Sequence, residues 1–515
     1  NAELGIRESY LKAAVRLTRS LIEAGVRTLL FGQSRNAVEI MLKYLRDGFD
    51  DRAALRDGIV AYRGGYLPGL RRSVERGLRE GELGCVVATS ALELGIDAGE
   101  LDAVVCAGYP GSLAETWQRF GRAGRRGTPA LALLVASSAP LDQYVATHPG
   151  LLLDGAIEHA RIDPDNTEIL VQHLKCAAFE LPFTRAERYG GLASEDTAAA
   201  LDFLGEHGVV HASGNRYHWS TDAFPANQVS LRRVGWDNYV IVDCETDEAL
   251  AELDWHSAPR MLHEQAIYQH DGRQYQVEKL DHENHKAFVR AVEPDYFTTA
   301  LVHVKVKVIE TEATSTQGLA HQGWGEVAIT EQVVGYKKVK FHTHENAGYG
   351  DVRLPDVDMH TTAFWISLPG ATCAALGRAQ AIEGLRGLAH ALELVATLAL
   401  MCDPHDIGRA IEDGAPEPHV DGFAATAYLY DTIPGGVGLS ERIYERAPDL
   451  LRRAAALVES CACPRGCPSC VGATVAHERA LSRKLAARAV FDAIGLEPGQ
   501  SIPAILPACG VSGLL

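Results

Sequence analysis

Residues 86–127 read VVATSALELGIDAGELDAVVCAGYPGSLAETWQRFGRAGRRG, and their pattern decides the fold. An apolar run, Cys85–Ala88, leads into this stretch and reads as a buried parallel strand. Thr89 and Ser90 stand at the strand's end, where α/β sheets hold their ligands. A helical patch, Ala91–Gly95, leads to Ile96 and Asp97. A second apolar strand, Ala103–Ala107, ends at Gly108-Tyr109-Pro110. A helix follows, with Gln118, Arg119, Gly121, Arg122, Arg125 and Arg126 near its end. Arg122 and Arg125 are three apart, which predicts a shared helix face. Guanidiniums are planar, permanently charged forks that match phosphate oxygens. Two of them beside Gly121, which permits close approach, form a clamp for a triphosphate. The plain alternative is a solvated basic helix end that complements the helix dipole.

Working outward, Ala-Thr-Ser-x4-Gly-Ile-Asp followed by Gln-x2-Gly-Arg-x2-Arg resembles motifs V and VI of superfamily 2 helicases. Upstream, Tyr10, Ala13, Leu17 and Leu21 have helical spacing, so residues 1–26 read as a linker helix. Residues 27–160 read as an α/β lobe. Arg27–Gly32 is a strand, Ser34 and Arg35 follow it, and Asn36–Leu45 is a helix. This order looks like helicase motif IV, and its hydroxyl and guanidinium suit a nucleic-acid phosphate. Val60–Tyr62 is a short strand ahead of Arg63-Gly64-Gly65, either a phosphate-approaching loop or an ordinary turn. Arg71–Glu80 reads as a charged helix with a solvated face, and Ala130–Ser138 as a closing strand. The chain contains no Gly-x4-Gly-Lys-Ser/Thr loop and no Asp-Glu-Ala-Asp or Asp-Glu-x-His tetrad. The expectation is a fragment that begins between two RecA-like lobes and lacks the first.

The 515 residues suffice for three or four domains of ~150 residues each. A hydrophobic content of 47% with 23% charged residues is that of a globular chain. The net charge of −18 argues against a protein basic all over, while a local basic track still suits nucleic acid. No secretory signal pattern opens the chain, and the longest apolar helix candidate, Leu388–Cys402, is too short for a bilayer and carries His390 and Glu393. These features predict a reduced, cytoplasmic protein (nucleoid-associated if bacterial) with no membrane partner.

Residues 161–222 read as a helical connector and a winged-helix-like unit: a helix over Glu195–His207, then two strands around a Gly214-Asn215 turn. Such a unit either contacts DNA or serves as a spacer. Residues 223–335 switch to period-two patterning and predict a small antiparallel β domain or barrel. Their histidines, His256, His263, His270, His282 and His285, match no metal spacing and are expected to be solvated hairpin residues. Residues 336–515 read as a final α/β unit. Its Pro434–Gly438 loop reads chiefly as a turn of the chain ahead of the Ser440–Tyr444 helix, with anion binding as the alternative. Asp403, Asp406 and Asp431 could in principle bind Mg²⁺ for nuclease chemistry, but they fit no nuclease motif closely. The strong signal is Cys461, Cys463, Cys467 and Cys470, spaced C-x-C-x3-C-x2-C between two helical stretches. Four thiolates bent together by Pro464, Gly466 and Pro468 can close a tetrahedral zinc site, and an iron–sulfur cluster is the competitor.

The stretch from Tyr62 to Gly127, with HLKCAAFELPF (173–183), YDTIPGGVGLSERIYE (430–445) and CACPRGCPSCVG (461–472), resembles the bacterial MrfA-type DNA-repair helicases and the related fungal RecQ-like helicases. Leu94 departs from the wider superfamily, in which many members have arginine before the motif V glycine. The resemblance implies an α/β multidomain chain: a second RecA-like lobe, a winged helix, a β-rich domain and a zinc-binding domain. It implies 3′→5′ translocation on DNA, single-stranded or with a 3′ tail, coupled to ATP hydrolysis and serving repair. ATP and Mg²⁺ would be shared with a first lobe. Arg122, Arg125 and Gln118 would act on the nucleotide's phosphates, beside Gly95, Asp97 and Gly121. Ser34, Arg35, Arg63, Gly64, Thr89 and Ser90 would hold DNA. The four cysteines would hold a structural Zn²⁺. The alternative function is a DNA-binding or scaffold module without ATPase activity of its own.

Overall fold

Apolar runs of four or five residues alternate with amphipathic helices from Tyr10 to Asp154, and such alternation builds a parallel sheet. The computed structural model describes residues 8–94, 101–124, 129–158, 166–227, 229, 238–412, 424–472 and 482–495. The first unit runs α1 (Tyr10–Glu23), β1 (Thr28–Gly32), α2 (Arg35–Asp47), α3 (Ala53–Asp57), β2 (Ile59–Tyr62), α4 (Pro68–Glu80) and β3 (Cys85–Ala88). It continues through β4 (Ala103–Ala107), α5 (Leu113–Phe120), β5 (Leu131–Val135), α6 (Pro140–Thr147) and α7 (Pro149–Asp154). The strand order is β2-β3-β1-β4-β5, parallel throughout. Successive β1 side chains point to opposite faces, Leu30 into one core and Leu29 and Phe31 into the other, so the strand is buried along its length.

Two expectations change here. The segment predicted as a linker carries α1, whose Leu11, Ala14, Val15 and Ile22 are buried in the lobe's own core. α1 is therefore a covering helix of the sheet. The sequence also predicts Arg122 and Arg125 on one helix face, but α5 stops at Phe120. Gly121 caps the helix and Gly124 takes a φ of +78°, so Arg122 lies in the turn beyond it. Two glycines in four residues remove the helix propensity that the shared face requires. Arg125, Gly95 and Asp97 lie outside the described residues.

The winged helix comprises α8 (Thr167–Glu180), β6 (Phe183–Thr184), α9 (Ser194–Glu206), β7 (Val210–Ser213) and β8 (Arg216–Trp219). Ser213 pairs with Arg216 across the predicted Gly214-Asn215 turn, and Gly214 has a φ of +60°. Leu174, Phe183, Leu201, Leu204 and Tyr217 form the core of this unit.

The β-rich unit comprises β9 (Tyr239–Asp243), β10 (Ala249–Leu253), α10 (Ala258–Met261), β11 (Ile267–His270), β12 (Arg273–Asp281) and β13 (Lys286–Val292). Its order is β10-β9-β13-β12-β11, antiparallel except for the β9–β13 pair. Asp271 and Gly272 are both left-handed (φ 48° and 72°) in a two-residue hairpin turn, as the Asp-Gly signal predicts. Two of the histidines are not solvated. His263 is fully buried and stacks on Tyr336, with ring centroids 4.9 Å apart, and His270 is buried edge-on to Tyr66 at 4.8 Å.

The last unit begins before residue 336. β14 (Tyr296–Gln317) and β15 (Ala320–Lys340) form one long hairpin that turns at Gly318, so the expected boundary at 335/336 falls inside β15. Gly335 marks no chain break. A Cβ there would lie 2.8 Å from the Gly350 carbonyl, so the glycine serves the close approach of β16 (Asn346–Asp351). Then follow β17 (Val357–Ser367), α11 (Gly370–Leu376), α12 (Arg378–Leu400), β18 (Ile407–Glu412), β19 (Thr426–Asp431), α13 (Leu439–Glu445), α14 (Ala447–Ser460) and α15 (Arg483–Ala493). The sheet order is β14-β15-β17-β19-β18. α12 is its central helix: Leu385, Leu388, Leu392 and Ala396 are buried among Phe364, Leu429, Leu450 and Val490. No helix among the described residues is long and apolar enough to cross a membrane.

Candidate functional site

All strands of the first sheet run the same way, so the ends of β1, β2, β3 and β4 share one edge. Ser34 follows β1 and caps α2, its Oγ accepting the Ala37 amide at 3.1 Å. Thr89 follows β3, donates its amide to the Tyr62 carbonyl at 3.2 Å, and accepts the Ala91 amide at 3.4 Å. Ser34 and Ser90 are exposed, and Thr89 is half-buried. After β4, Asp142 accepts the Tyr109 and Ser137 amides at 3.0 and 2.7 Å, and Gln33 Nε2 donates to the Tyr109 carbonyl at 2.7 Å. The edge is thus preset by bonds between loops that neighbour each other only in space.

The turn after α5 is tied to the turn after β3 through Glu93. The Glu93 carboxylate accepts Arg119 Nε at 2.9 Å, and the Glu93 carbonyl accepts Arg122 Nε at 3.0 Å. Both guanidiniums are buried, and Arg119 also lies over the Phe31 ring at 5.3 Å. Gln118 and Gly121 are exposed beside them. Glu93 carries no spacing signal of its own in the sequence. Its role comes from contacts 26 and 29 residues away. Glu115 also reaches Arg119, at 3.2 Å. Burial, and then the neighbouring Glu93, push its carboxyl up to about 7.

Arg63 is expected to hold DNA, and the structure places it elsewhere. Its side chain is fully buried, with Nε donating to Glu39 at 2.7 Å and Nη2 to the Gln269 carbonyl at 2.9 Å and the Tyr268 hydroxyl at 3.1 Å. Glu39 also accepts the Tyr66 hydroxyl at 2.8 Å and the Gly272 amide at 3.0 Å. Burial opposes the Glu39 charge, but Arg63 and that amide outweigh it and hold the carboxyl below its usual range. Arg63 is therefore an internal cation at the junction of the lobe and the β-rich unit. The glycines after it serve the same junction: Glu252 donates its amide to the Gly65 carbonyl at 2.8 Å, and a Cβ on Gly65 would lie 2.4 Å from the Glu252 carbonyl oxygen. Gly64 is half-buried in this loop, and Arg35 bonds to Asp254 at 2.8 Å. Two of Arg63's partners, Tyr268 and Gln269, lie over 200 residues away, beyond any local pattern.

The four cysteines do converge. Their ligand sulfurs lie within 4.8 Å of one another, and four of the pairs are separated by 3.5–3.7 Å. A tetrahedron with Zn–S bonds of about 2.3 Å has edges of about 3.8 Å, so the set fits one zinc ion. A cubane cluster spreads its cysteines over separate irons and needs wider spacing. Cys461 and Cys470 are buried, and no position remains for water, which makes the zinc structural. His390 Nε2 bonds the Pro468 carbonyl at 2.7 Å from α12, anchoring the loop to the core. The Pro434–Gly438 loop has the structural role: Asp431 fills it, accepting the Val437, Leu439 and Ser440 amides at 2.7, 3.1 and 3.0 Å. Asp403 and Asp406 cap the turn between them. Among the described residues the four cysteines are the one group that converges for a metal.

Three family models match the chain: the helicase conserved C-terminal domain over residues 10–127, the winged-helix domain of ATP-dependent helicase HRQ1 over 162–234, and the MrfA Zn-binding domain over 388–471. The chain is 40% identical over 494 residues to the uncharacterized ATP-dependent helicase YprA of Bacillus subtilis (strain 168), covering 94% of this chain and 64% of that protein. It is 29% identical over 500 residues to ATP-dependent helicase HRQ1 of Saccharomyces cerevisiae (92% and 45%). The crystal structure of the helicase MrfA bound to DNA superposes with a TM-score of 0.67 at 38% identity, covering 96% of this chain and 65% of that one. The chain thus spans under two thirds of the length of these relatives. Along the chain, a match to the helicase C-terminal domain, a match to the HRQ1 winged helix and a match to the four-cysteine MrfA Zn-binding domain follow one another, and over the region it spans the chain is similar to the MrfA-type helicases.

Proposed function

We propose that this chain is the second motor lobe and accessory part of an ATP-dependent DNA helicase that moves 3′→5′ on single-stranded DNA and serves DNA repair. The observation that carries the reading is the Glu93 tie. It joins the turn after β3 to the arginine turn after α5, at the sheet edge where α/β folds bind ligands. ATP and Mg²⁺ would lie between this edge and a lobe that supplies the phosphate-binding loop. Arg122 would turn from the Glu93 carbonyl to the nucleotide's phosphates and Arg125 would join it, with Gln118 and Gly121 beside them and Gly95 and Asp97 linking nucleotide to DNA. Guanidiniums so placed counter charge that develops in the transition state, and an arginine finger is worth roughly 10³–10⁵ in rate. Ser34, Thr89 and Ser90 would donate to DNA phosphates, which makes movement largely blind to sequence. Arg35 would join them only by exchanging Asp254 for a phosphate.

Arg122→Ala in the complete protein tests this. DNA-stimulated ATP turnover should fall at least 10²-fold while ATP and DNA binding persist. Near wild-type turnover would remove Arg122 from the reaction. A duplex with a 3′ tail should be unwound and its 5′-tailed counterpart left intact. The present 515 residues alone, having no phosphate-binding loop, should hydrolyse ATP at background rate.

A further inference from the structure

α15 begins against the cysteine loop. Ser482 Oγ donates to the Arg465 carbonyl at 3.1 Å, and the Lys484 amide donates to the same carbonyl at 3.3 Å. The Lys484 side chain turns inward beneath the loop. Its Nζ donates to the Cys461 carbonyl at 2.5 Å and the Cys463 carbonyl at 3.0 Å, and the residue is only 7% exposed. Among the described residues no carboxylate is paired with this ammonium. Its neighbour Arg483 takes the buried carboxylate Glu383, at 2.7 Å. Two carbonyl dipoles do not balance a buried charge, and an isolated buried ammonium costs several kcal/mol. The carbonyls it holds belong to the same ten-residue loop as the sulfurs of Cys461, Cys463, Cys467 and Cys470, which makes these thiolates a negative group beside the ammonium. Four thiolates around one Zn²⁺ carry a net charge of about −2.

We propose that Lys484 is the counter-charge of the zinc centre: a positioning residue that holds the first two cysteines by their carbonyls and offsets the excess negative charge of the four thiolates. The two halves of this role come from one side chain. The carbonyl bonds aim the backbone of Cys461 and Cys463, and the ammonium makes four-thiolate ligation less repulsive in a buried place. It rests on the four-cysteine zinc assignment and is independent of the helicase reading.

The test uses the whole chain loaded with zinc, comparing Lys484→Gln, Lys484→Arg and Ser482→Ala. Glutamine keeps a donor and loses the charge; arginine keeps both. Ser482→Ala loosens the same loop without touching the charge. Zinc release to a chromogenic chelator should be 10–100-fold faster in Lys484→Gln, the range typical of partners that orient metal ligands. Lys484→Arg should stay within a few-fold of wild type. Ser482→Ala should lower the melting temperature and leave release nearly unchanged. A Lys484→Gln chain that folds only with zinc in the medium, while Ser482→Ala folds without it, supports the proposal equally. Wild-type release in Lys484→Gln, or equal acceleration in Lys484→Gln and Ser482→Ala, overturns it. A wild-type chain that binds no zinc would fail the metal assignment itself.

Discussion

The carboxyl edge of the parallel sheet and the cysteine loop both gather polar side chains, but they are held in opposite ways. The sheet edge rests on a core complete without any ligand: β1, β3 and β4 are buried along their whole length. Its loops are tied by ordinary hydrogen bonds through Asp142, Gln33 and Glu93. The cysteine loop has almost no core of its own. Val471 packs inward, His390 and Lys484 hold carbonyls, and four sulfurs face one another. Rigidity at the edge is made by the fold before any ligand binds, whereas at the loop it waits on the metal. A change at the edge should therefore alter chemistry and spare folding, and a change at the loop should do the reverse.

The sharpest way to break that contrast is Cys467→Ser. Structural zinc sites contribute roughly 10–16 kcal/mol in isolated peptides, and losing one of four ligands should forfeit much of it. The expected result is loss of the one zinc per chain, lower soluble yield, and faster amide exchange in α12, α14 and α15, with exchange in β1, β3 and β4 unchanged. A metal-free chain with wild-type exchange in α12 would end the structural role. Iron with a visible chromophore would end the zinc assignment.

The junction of the lobe with the β-rich unit belongs with the self-contained side of the comparison. Arg63→Ala would leave Glu39 buried without its cation, which typically costs about 3–5 kcal/mol. Glu39→Gln with Arg63→Met removes both charges and should cost clearly less than Arg63→Ala alone. Denaturant unfolding followed on the lobe reads this out. A loss under about 0.5 kcal/mol for Arg63→Ala would mean that the pair is idle.

What could be read in the sequence follows the range of the interaction. The strands after residues 27, 58, 84 and 102 were legible because buried parallel strands are short apolar runs. The cysteine loop was legible because its ligands fall within ten residues, so spacing alone reports proximity. The end of α5 differs from the expected shared arginine face because the two glycines outweigh the arginine spacing. Arg63 read as a phosphate contact because Arg-Gly-Gly after a strand looks open, and only the fold brings Tyr268 and Gln269 onto it. Glu93 and Lys484 were invisible for the same reason: each acts on groups that only the tertiary structure makes neighbours. His263 and His270 depart the other way, since histidines in loops and hairpins default to solvent until another unit packs over them.

His270 supplies the smallest expected effect, and its sign can be worked out. Burial against Tyr66 and Tyr268 pushes its pKa down to about 4 from the ordinary 6.5. Glu39 pulls the other way and Arg63 reinforces the fall. The folded protein thus holds the ring neutral, while the unfolded chain takes up a proton below about 6.5. Unfolding then binds a proton, so this contribution to stability is fully present above pH 6.5 and drains away as the pH falls toward 4. Groups with raised values, such as Glu115 at about 7 and Asp406 at about 6, act in the opposite sense over part of that window. The difference between wild type and His270→Gln is therefore the quantity to read, with total pH dependence set aside. Stability of the lobe and β-rich junction should fall more steeply between pH 6.5 and 4.5 in wild type than in His270→Gln. The gap at the acid end should be at most about 3 kcal/mol. Parallel curves would mean that the ring is reached by water and titrates as it would in the unfolded chain, which would loosen the junction and weaken the contrast with the cysteine loop.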